Sequence, residues 1–242
     1  MATGPQRDYL GRAQAPAGAR AAEIDVGLRA YMQKVFGLMG IGTAVTGLIA
    51  FFTAQSPTML NLIYNTPLRW VIMLAPLAFV LVLSFGIHRM RASTAQLTFW
   101  AFAAVMGLSL SSIFLVYTGQ SIVATFFVSS ATFLGMALYG YTTKRDLTGW
   151  GSFLFMGLLG LIVASLVGLF VQSSALQFAI SVIGVLIFTG LTAYDAQKIK
   201  EMYYAGDDGE TYGKKAVMGA LRLYLDFINL FLYLLRFIGD RR

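Results

Sequence analysis

The chain has 242 residues, of which 57% are hydrophobic and only 12% are charged, and its formal net charge is +7. A soluble domain carries about 25% charged residues, so this composition excludes a soluble globular protein and predicts an integral membrane protein. Cysteine is absent, which excludes disulfides, thiolate metal sites and cysteine nucleophiles. The basic residues flank apolar segments and form no continuous patch, and this pattern favours anionic lipid over nucleic acid as a partner.

The N-terminal region, residues 1–22, is rich in Ala, Gly and Arg and contains Pro5 and Pro16. We expect it to be a disordered cytoplasmic tail, because such a composition cannot bury a core. Residues 23–34 are expected to continue as an interfacial helix that leads into the membrane. The chain therefore divides into this tail and one transmembrane domain, residues 23–242.

Seven apolar stretches follow, each close to the roughly 20 residues that a helix needs to cross a membrane. None shows the alternation of apolar and polar residues that is typical of a β-barrel strand. The predicted fold class is therefore an all-α membrane protein with seven transmembrane helices. The predicted segments are 35–53, 70–87, 95–117, 121–141, 150–171, 175–196 and 217–238.

The distribution of Lys and Arg predicts the orientation of these segments. Both residue types are concentrated in the N-terminal region and in the connections after segments 2, 4 and 6, whereas the other connections carry few. Cytoplasmic loops carry the excess of positive charge in multi-pass proteins. We therefore expect a protein of the inner (plasma) membrane with its N-terminus in the cytoplasm and its C-terminus on the opposite side.

Segment 7 carries a polar stripe. Arg222, Asp226, Asn229, Tyr233 and Arg236 are spaced by four, three, four and three residues, which places them on one face of an α-helix. A polar stripe on a helix in lipid must face the bundle interior or a wet cavity. Segment 7 should therefore be central in the bundle or line a pore.

Asp195 and Asp226 are the carboxylates that lie within apolar segments. Each costs roughly 2.5–3.5 kcal/mol to place on a helix at membrane depth. The end of segment 2 should bring His88 and Arg89 to the same level. Two interpretations remain open: local pairing, of Asp226 with Arg222 and of Asp195 with Lys198, or a shared carboxylate site.

A shared site would have a defined chemistry. Two carboxylates about 4 Å apart repel by about 4 kcal/mol at an effective dielectric constant near 20, which is enough to hold one proton between them near neutral pH. When deprotonated, Asp195 and Asp226 would bind a hard cation. A tight calcium site needs about 6–8 oxygens, so we expect weak, transient Ca²⁺ binding, with Asn229 and Thr192 as additional ligands.

Two motifs resemble the paired signatures of the Bax inhibitor-1 family, particularly its bacterial branch. They are FTGLTAYDAQKI at residues 188–199 and LYLDFINLF at residues 223–231. The resemblance implies one central helix wrapped by the others, and a pH-sensitive calcium leak gated by a buried aspartate pair. The matching positions are Asp195 and Asp226. It also implies a basic latch at the end of the second helix, a role that His88 or Arg89 would fill.

The resemblance leaves a second function open. Some bacterial members are linked to a membrane-bound protease, so the alternative is a membrane regulator that binds such a partner and transports nothing. The N-terminal tail would be the natural contact for it. We expect no enzymatic activity and no cofactor, because no Ser–His or metal-ligand pair falls within the apolar segments.

Overall fold

The computed structural model describes residues 17–171 and 173–242. All regular secondary-structure elements longer than three residues in these two ranges are α-helices. One isolated antiparallel bridge joins Tyr117 to Arg241, and a short 3₁₀ turn spans Ile87–Arg89. The helices are α1 (Ala17–Ala54), α2 (Pro57–Tyr64), α3 (Leu68–Gly86), α4 (Ala92–Leu110), α5 (Ile113–Val116), α6 (Gly119–Thr142), α7 (Thr148–Phe170), α8 (Ser174–Glu201) and α9 (Gly209–Ile238).

Seven of the described helical stretches are long and apolar enough to cross a membrane. They match the seven predicted segments one to one, so the predicted fold class is confirmed. The spans are Asp25–Ala54, Leu68–Arg89, Ala92–Val116, Gly119–Thr142, Thr148–Phe170, Ser174–Glu201 and Gly209–Ile238.

The largest differences from the predicted boundaries lie at the ends of α1 and α9. α1 begins at Ala17, so residues 17–22 are helical, while residues 1–16 of the predicted tail lie outside the described residues. α9 begins at Gly209, where Oδ1 of Asp208 accepts a hydrogen bond of 2.7 Å from the backbone N–H of Thr211. Hydrogen bonds from Thr211 lower the pKa of the Asp208 carboxyl group. The predicted start at residue 217 is too late, because the prediction used apolar content and the first turns of the helix are polar.

α2 was not predicted, because eight residues are too few to give a transmembrane signal. Its start nevertheless has two local causes. The Ser56 hydroxyl caps the helix by accepting a bond of 3.4 Å from the backbone N–H of Met59. Pro57 occupies the first helical position, where its missing N–H costs no hydrogen bond.

α9 is the central helix. It packs against α1, α4, α6 and α8, whereas α3 packs mainly on α4 and α7 mainly on α8. In its apolar part 61% of the residues are buried, against 11% in α7. The predicted central helix wrapped by the others is therefore confirmed.

A close contact between α6 and α8 fixes the position of the predicted site. Gly140 on α6 lies directly against the backbone of Ala193 on α8, with no room for a Cβ atom. Small residues allow such close backbone approach between membrane helices. The contact lies two residues before Asp195, so it determines how far α8 stands from the rest of the bundle at the depth of that carboxylate.

The chain end after α9 is attached to the last residue of α5 and to the first turn of α6. The backbone N–H of Arg242 donates to the carbonyl of Val116 at 2.9 Å. The backbone N–H of Asp240 donates to Oγ of Ser121 at 3.0 Å, and that hydroxyl lies 3.3 Å from Oδ2 of Asp240. The C-terminal end of the central helix is therefore held by a neighbouring helix.

Candidate functional site

A cavity of about 830 Å³ lies between α7, α8 and α9. Its wall contains both predicted aspartates and the predicted stripe from Arg222 to Tyr233, whereas Arg236, the last residue of that stripe, does not line it. We call these five residues the acidic site: Asp195, Arg222, Asp226, Asn229 and Tyr233. The cavity wall on α7 includes Gly151 and Ser152, which carried no recognisable signal in the sequence.

The two aspartates of the acidic site meet across the α8–α9 contact. Both side chains line the same cavity, Asp195 from α8 and Asp226 from α9. Asp226 is the more enclosed, with 5% of the residue exposed, while the Asp195 side chain is 17% exposed. Oδ2 of Asp226 is buried and accepts no hydrogen bond from any described residue.

Arg222 is the basic group of the acidic site. Its guanidinium Nη1 lies 3.8 Å from Oδ1 of Asp195, and its side chain is 46% exposed. The pairing therefore links α9 to α8, and Asp226, one helical turn from Arg222, is not within salt-bridge distance of it. Lys198 also pairs elsewhere, since its ammonium contacts Glu201 and Thr148 at 2.7 Å each. Neither predicted local pair therefore forms among the described residues, because Arg222 contacts Asp195 and Lys198 contacts Glu201.

His88 and Arg89 do not join the acidic site. Both are exposed in the 3₁₀ turn after α3, neither lines the cavity, and neither forms a salt bridge with a described carboxylate. The physical reason is the peripheral position of α3, which packs mainly on α4. In this structure the cation beside Asp195 is Arg222.

The remaining two residues of the acidic site are held by local contacts. Nδ2 of Asn229 donates to the carbonyl of Leu225 at 2.8 Å, so its amide is tied to its own helix. The ring of Tyr233 stacks on Phe188 of α8, with centroids 5.7 Å apart and planes at 20°. Gly184 leaves the space that the Tyr233 ring occupies. Tyr233 thus lies at the C-terminal end of the acidic site on α9.

The site offers few ligands to a cation. Among the described residues, no group of three or more His, Cys, Asp or Glu side chains comes together. Thr192, predicted as an additional ligand, is fully buried and donates its hydroxyl proton to the carbonyl of Phe188 at 2.7 Å. Two carboxylates and one amide fall short of the six to eight oxygens of a tight calcium site.

A second cavity of about 800 Å³ lies beside the opposite face of α9, bordered also by α1, α5 and α6. Phe227, Ile228 and Phe231 of α9 line it, and it shares no lining residue with the acidic site. At the wall of the second cavity, the ring of Phe227 meets Phe126 and Phe133 of α6 edge-on, at centroid distances of 5.8 and 5.5 Å. The two cavities are therefore lined by different residues of α9, and Phe227 follows Asp226 of the acidic site directly in the chain.

Comparison with known proteins gives consistent results along nearly the whole chain. The model of a family described as inhibitor of apoptosis-promoting Bax1 matches residues 28–242. A protein of Rickettsia prowazekii is 51% identical over 90% of this chain and 92% of its own length. The inner membrane protein YbhL of Escherichia coli K12 is 47% identical, covering 89% of this chain and 94% of its own. A Caulobacter vibrioides protein is 44% identical, covering 94% and 95%.

Proposed function

We propose that this chain, which belongs to the Bax inhibitor-1 family of membrane proteins, is a pH-sensitive leak channel for calcium or another cation in the inner membrane. The acidic site is its sensor and gate. The observation that carries the proposal is the meeting of Asp195 and Asp226, from two different helices, inside a cavity of about 830 Å³. Buried ionisable groups in membrane helices mark ion or proton pathways.

Arg222 connects the charge of this pair to the position of the central helix. When Asp195 is ionised, its attraction to Arg222 holds α8 and α9 together across the 3.8 Å gap. Since Arg222 is nearly half exposed, water screens the attraction to about 1 kcal/mol. Protonation of Asp195 removes it, which shifts the balance between closed and open forms about fivefold towards the open form. Cation flux should therefore rise as the pH falls.

The aromatic cluster of Phe227, Phe126 and Phe133 supplies the barrier of the closed form. Phe227 lines the second cavity, lies one residue from Asp226 of the acidic site, and packs edge-on against Phe126 and Phe133. Apolar constrictions of this kind stop ions by excluding water. Because Phe227 follows Asp226 directly on α9, a movement of α9 that opens the acidic site also displaces the barrier.

The experiment is calcium flux into liposomes that hold a calcium dye, with the purified protein in the bilayer. Flux should change between about pH 6 and about pH 8, the range expected for a coupled pair. Asp195→Asn and Asp226→Asn should each remove that response. The matched control is Glu201→Gln, which neutralises an exposed carboxylate on α8 that pairs only with Lys198; it should keep the wild-type profile. An unchanged profile in both Asn variants would remove the aspartates from the mechanism.

The protease-binding hypothesis stays a separate prediction. Its proposed contact is the N-terminal region, of which residues 1–16 lie outside the described residues, so the geometry of the acidic site does not bear on it. Deletion of residues 2–22 should abolish binding to a membrane protease and leave cation flux intact. A shortened protein that still binds the protease would contradict this hypothesis.

A further inference from the structure

A chain of two hydrogen bonds ties the central helix to two other helices on the face opposite the acidic site. The hydroxyl of Tyr224 on α9 lies 2.6 Å from Oγ1 of Thr46 on α1. Oγ1 of Thr46 lies 2.8 Å from the carbonyl oxygen of Ala103 on α4. A carbonyl oxygen only accepts hydrogen bonds, so the Thr46 hydroxyl donates its single proton to Ala103. Tyr224 must therefore donate its own hydroxyl proton to Thr46.

These two hydrogen bonds are buried in an apolar environment. Tyr224 is fully buried and Thr46 is 3% exposed. Phe99 and Phe102 of α4 meet the Tyr224 ring edge-on, with centroids 5.8 and 5.2 Å away. Breaking either bond leaves a buried polar group without its protein partner.

The two helices that accept these hydrogen bonds, α1 and α4, are packed rigidly against each other. Gly107 on α4 lies against the backbone of α1, where an added Cβ atom would stand 2.7 Å from the carbonyl oxygen of Thr46. α1 and α4 therefore approach as closely as their backbones allow at this depth. Tyr224 binds α9 to a unit that does not adjust, and the hydrogen bond sets one axial and rotational position of α9.

Helical geometry couples this contact to the acidic site. Tyr224 and Asp226 are two residues apart, which is a rotation of about 200° and a rise of about 3 Å on the same helix. A rotation or shift of α9 that separates Asp226 from Asp195 thus also moves the Tyr224 hydroxyl relative to Thr46. The two contacts either hold together or are released together.

We infer that Tyr224 is a positioning residue for the gate: its hydrogen bond to Thr46 holds α9 in the closed position, and opening breaks it. The inference rests on the proposed leak function. It differs from ordinary packing in a measurable way, because a packing residue changes stability and leaves the pH profile where it was.

The first test is a set of hydroxyl deletions assayed by calcium flux in dye-loaded liposomes. Tyr224→Phe and Thr46→Val each remove the bond and keep the shape of the side chain, and each should raise flux at pH 8 about fivefold and move the flux profile to higher pH. Thr46→Ser keeps the hydroxyl and should restore the wild-type profile. The matched control is Thr43→Val, whose hydroxyl bonds only to Met39 of its own helix; it should leave the profile unchanged.

A double-variant cycle tests whether the two residues act as a unit. Tyr224→Phe combined with Thr46→Val should raise flux no further than Thr46→Val alone, because Thr46→Val already removes the bond that Tyr224→Phe deletes. Independent, multiplying effects would overturn the assignment. If Tyr224→Phe does not fold, the comparison of Thr46→Val with Thr46→Ser decides the same question.

A readout without ion flux separates this inference from the proposed function. The chain has no cysteine, so Ile228→Cys places a single thiol on the wall of the second cavity. Its modification by a water-soluble methanethiosulfonate should be about fivefold faster when Tyr224→Phe is added. If modification is faster with Tyr224→Phe but the wild-type protein conducts no calcium, the positioning role of Tyr224 is supported and the proposed channel function is rejected. Wild-type flux with unchanged modification and an unchanged pH profile in Tyr224→Phe would reject the role of Tyr224.

Discussion

On one face of α9 a buried oxygen of Asp226 has no hydrogen-bond partner among the described residues, and the nearby Arg222–Asp195 contact is loose at 3.8 Å. On the opposite face the Tyr224 hydroxyl is bonded to Thr46 at 2.6 Å. A satisfied buried polar group favours one arrangement, whereas an unsatisfied one costs stability. The proposed gate therefore lies on the face of α9 with the unsatisfied polar group, and the satisfied hydrogen bond that fixes the helix position lies on the opposite face.

The largest expected effect comes from removing the barrier between the two faces. Phe227→Ala leaves a cavity among Phe126 and Phe133 and should lower the free energy of unfolding by about 3–5 kcal/mol. It should also connect the two cavities and give high calcium flux that no longer depends on pH. Thermal unfolding in detergent and liposome flux measure the two effects. Phe153→Ala, at an exposed position on α7, is the control and should change neither strongly.

Substitution by leucine on the two faces of α9 should have opposite effects on stability. Asp226→Leu removes a buried carboxyl group with an unpartnered oxygen and should stabilise the protein by about 1–3 kcal/mol while abolishing the pH response. Tyr224→Leu removes a satisfied group and should destabilise it. Thermal unfolding of both variants is the measurement. A lower melting temperature for Asp226→Leu would show that the carboxylate contributes to stability and would contradict the contrast between the faces.

A smaller effect is expected at Arg222. Arg222→Gln removes the cation beside Asp195, so flux at pH 8 should rise about fivefold, and further acidification should add little. Arg29→Gln is the matched control, because the ion pair that Arg29 forms among the described residues is with exposed Asp25, at 2.7 Å. Equal flux in Arg222→Gln and the wild-type protein at both pH values would exclude Arg222 from the gate.

The smallest effect is expected at the start of α9. Hydrogen bonds from Thr211 lower the pKa of Asp208, so the cap stabilises the helix above the carboxyl group's unfolded pKa and is lost as the pH falls through its folded pKa. Asp208→Ala should therefore lower the melting temperature slightly at pH 7, and the difference from wild type should disappear in acid. Asp208→Ser keeps a capping oxygen without a charge and should lose the acid dependence alone.

Helical spacing was sufficient to predict much of the acidic site. The intervals among Arg222, Asp226, Asn229 and Tyr233 fix their common face whatever the helix packs against. Asp195 was found by elimination, because a second carboxylate in lipid needs a polar neighbour. The motif in which it lies also indicated the family, which the comparisons show.

The contacts between helices could not be read from spacing. An Arg four residues before an Asp suggests a pair within one helix, and only the packing of α8 against α9 directs Arg222 to Asp195. The positions of His88 and Arg89 depend on α3 being peripheral, which hydropathy does not reveal. Tyr224 escaped notice because a tyrosine among leucines gives no signal until its partner on α1 is known.

The attachment of the chain end at Val116 and Ser121 makes α9 a lever with a fixed pivot. Asp226 stands about 18 Å from that pivot and Gly209 about 44 Å, at 1.5 Å of rise per residue. A swing that shifts the carboxylate by one ångström therefore displaces the opposite end of the helix by more than two. The loop at residues 202–208 is the place where a spectroscopic probe would register gating with the greatest amplitude.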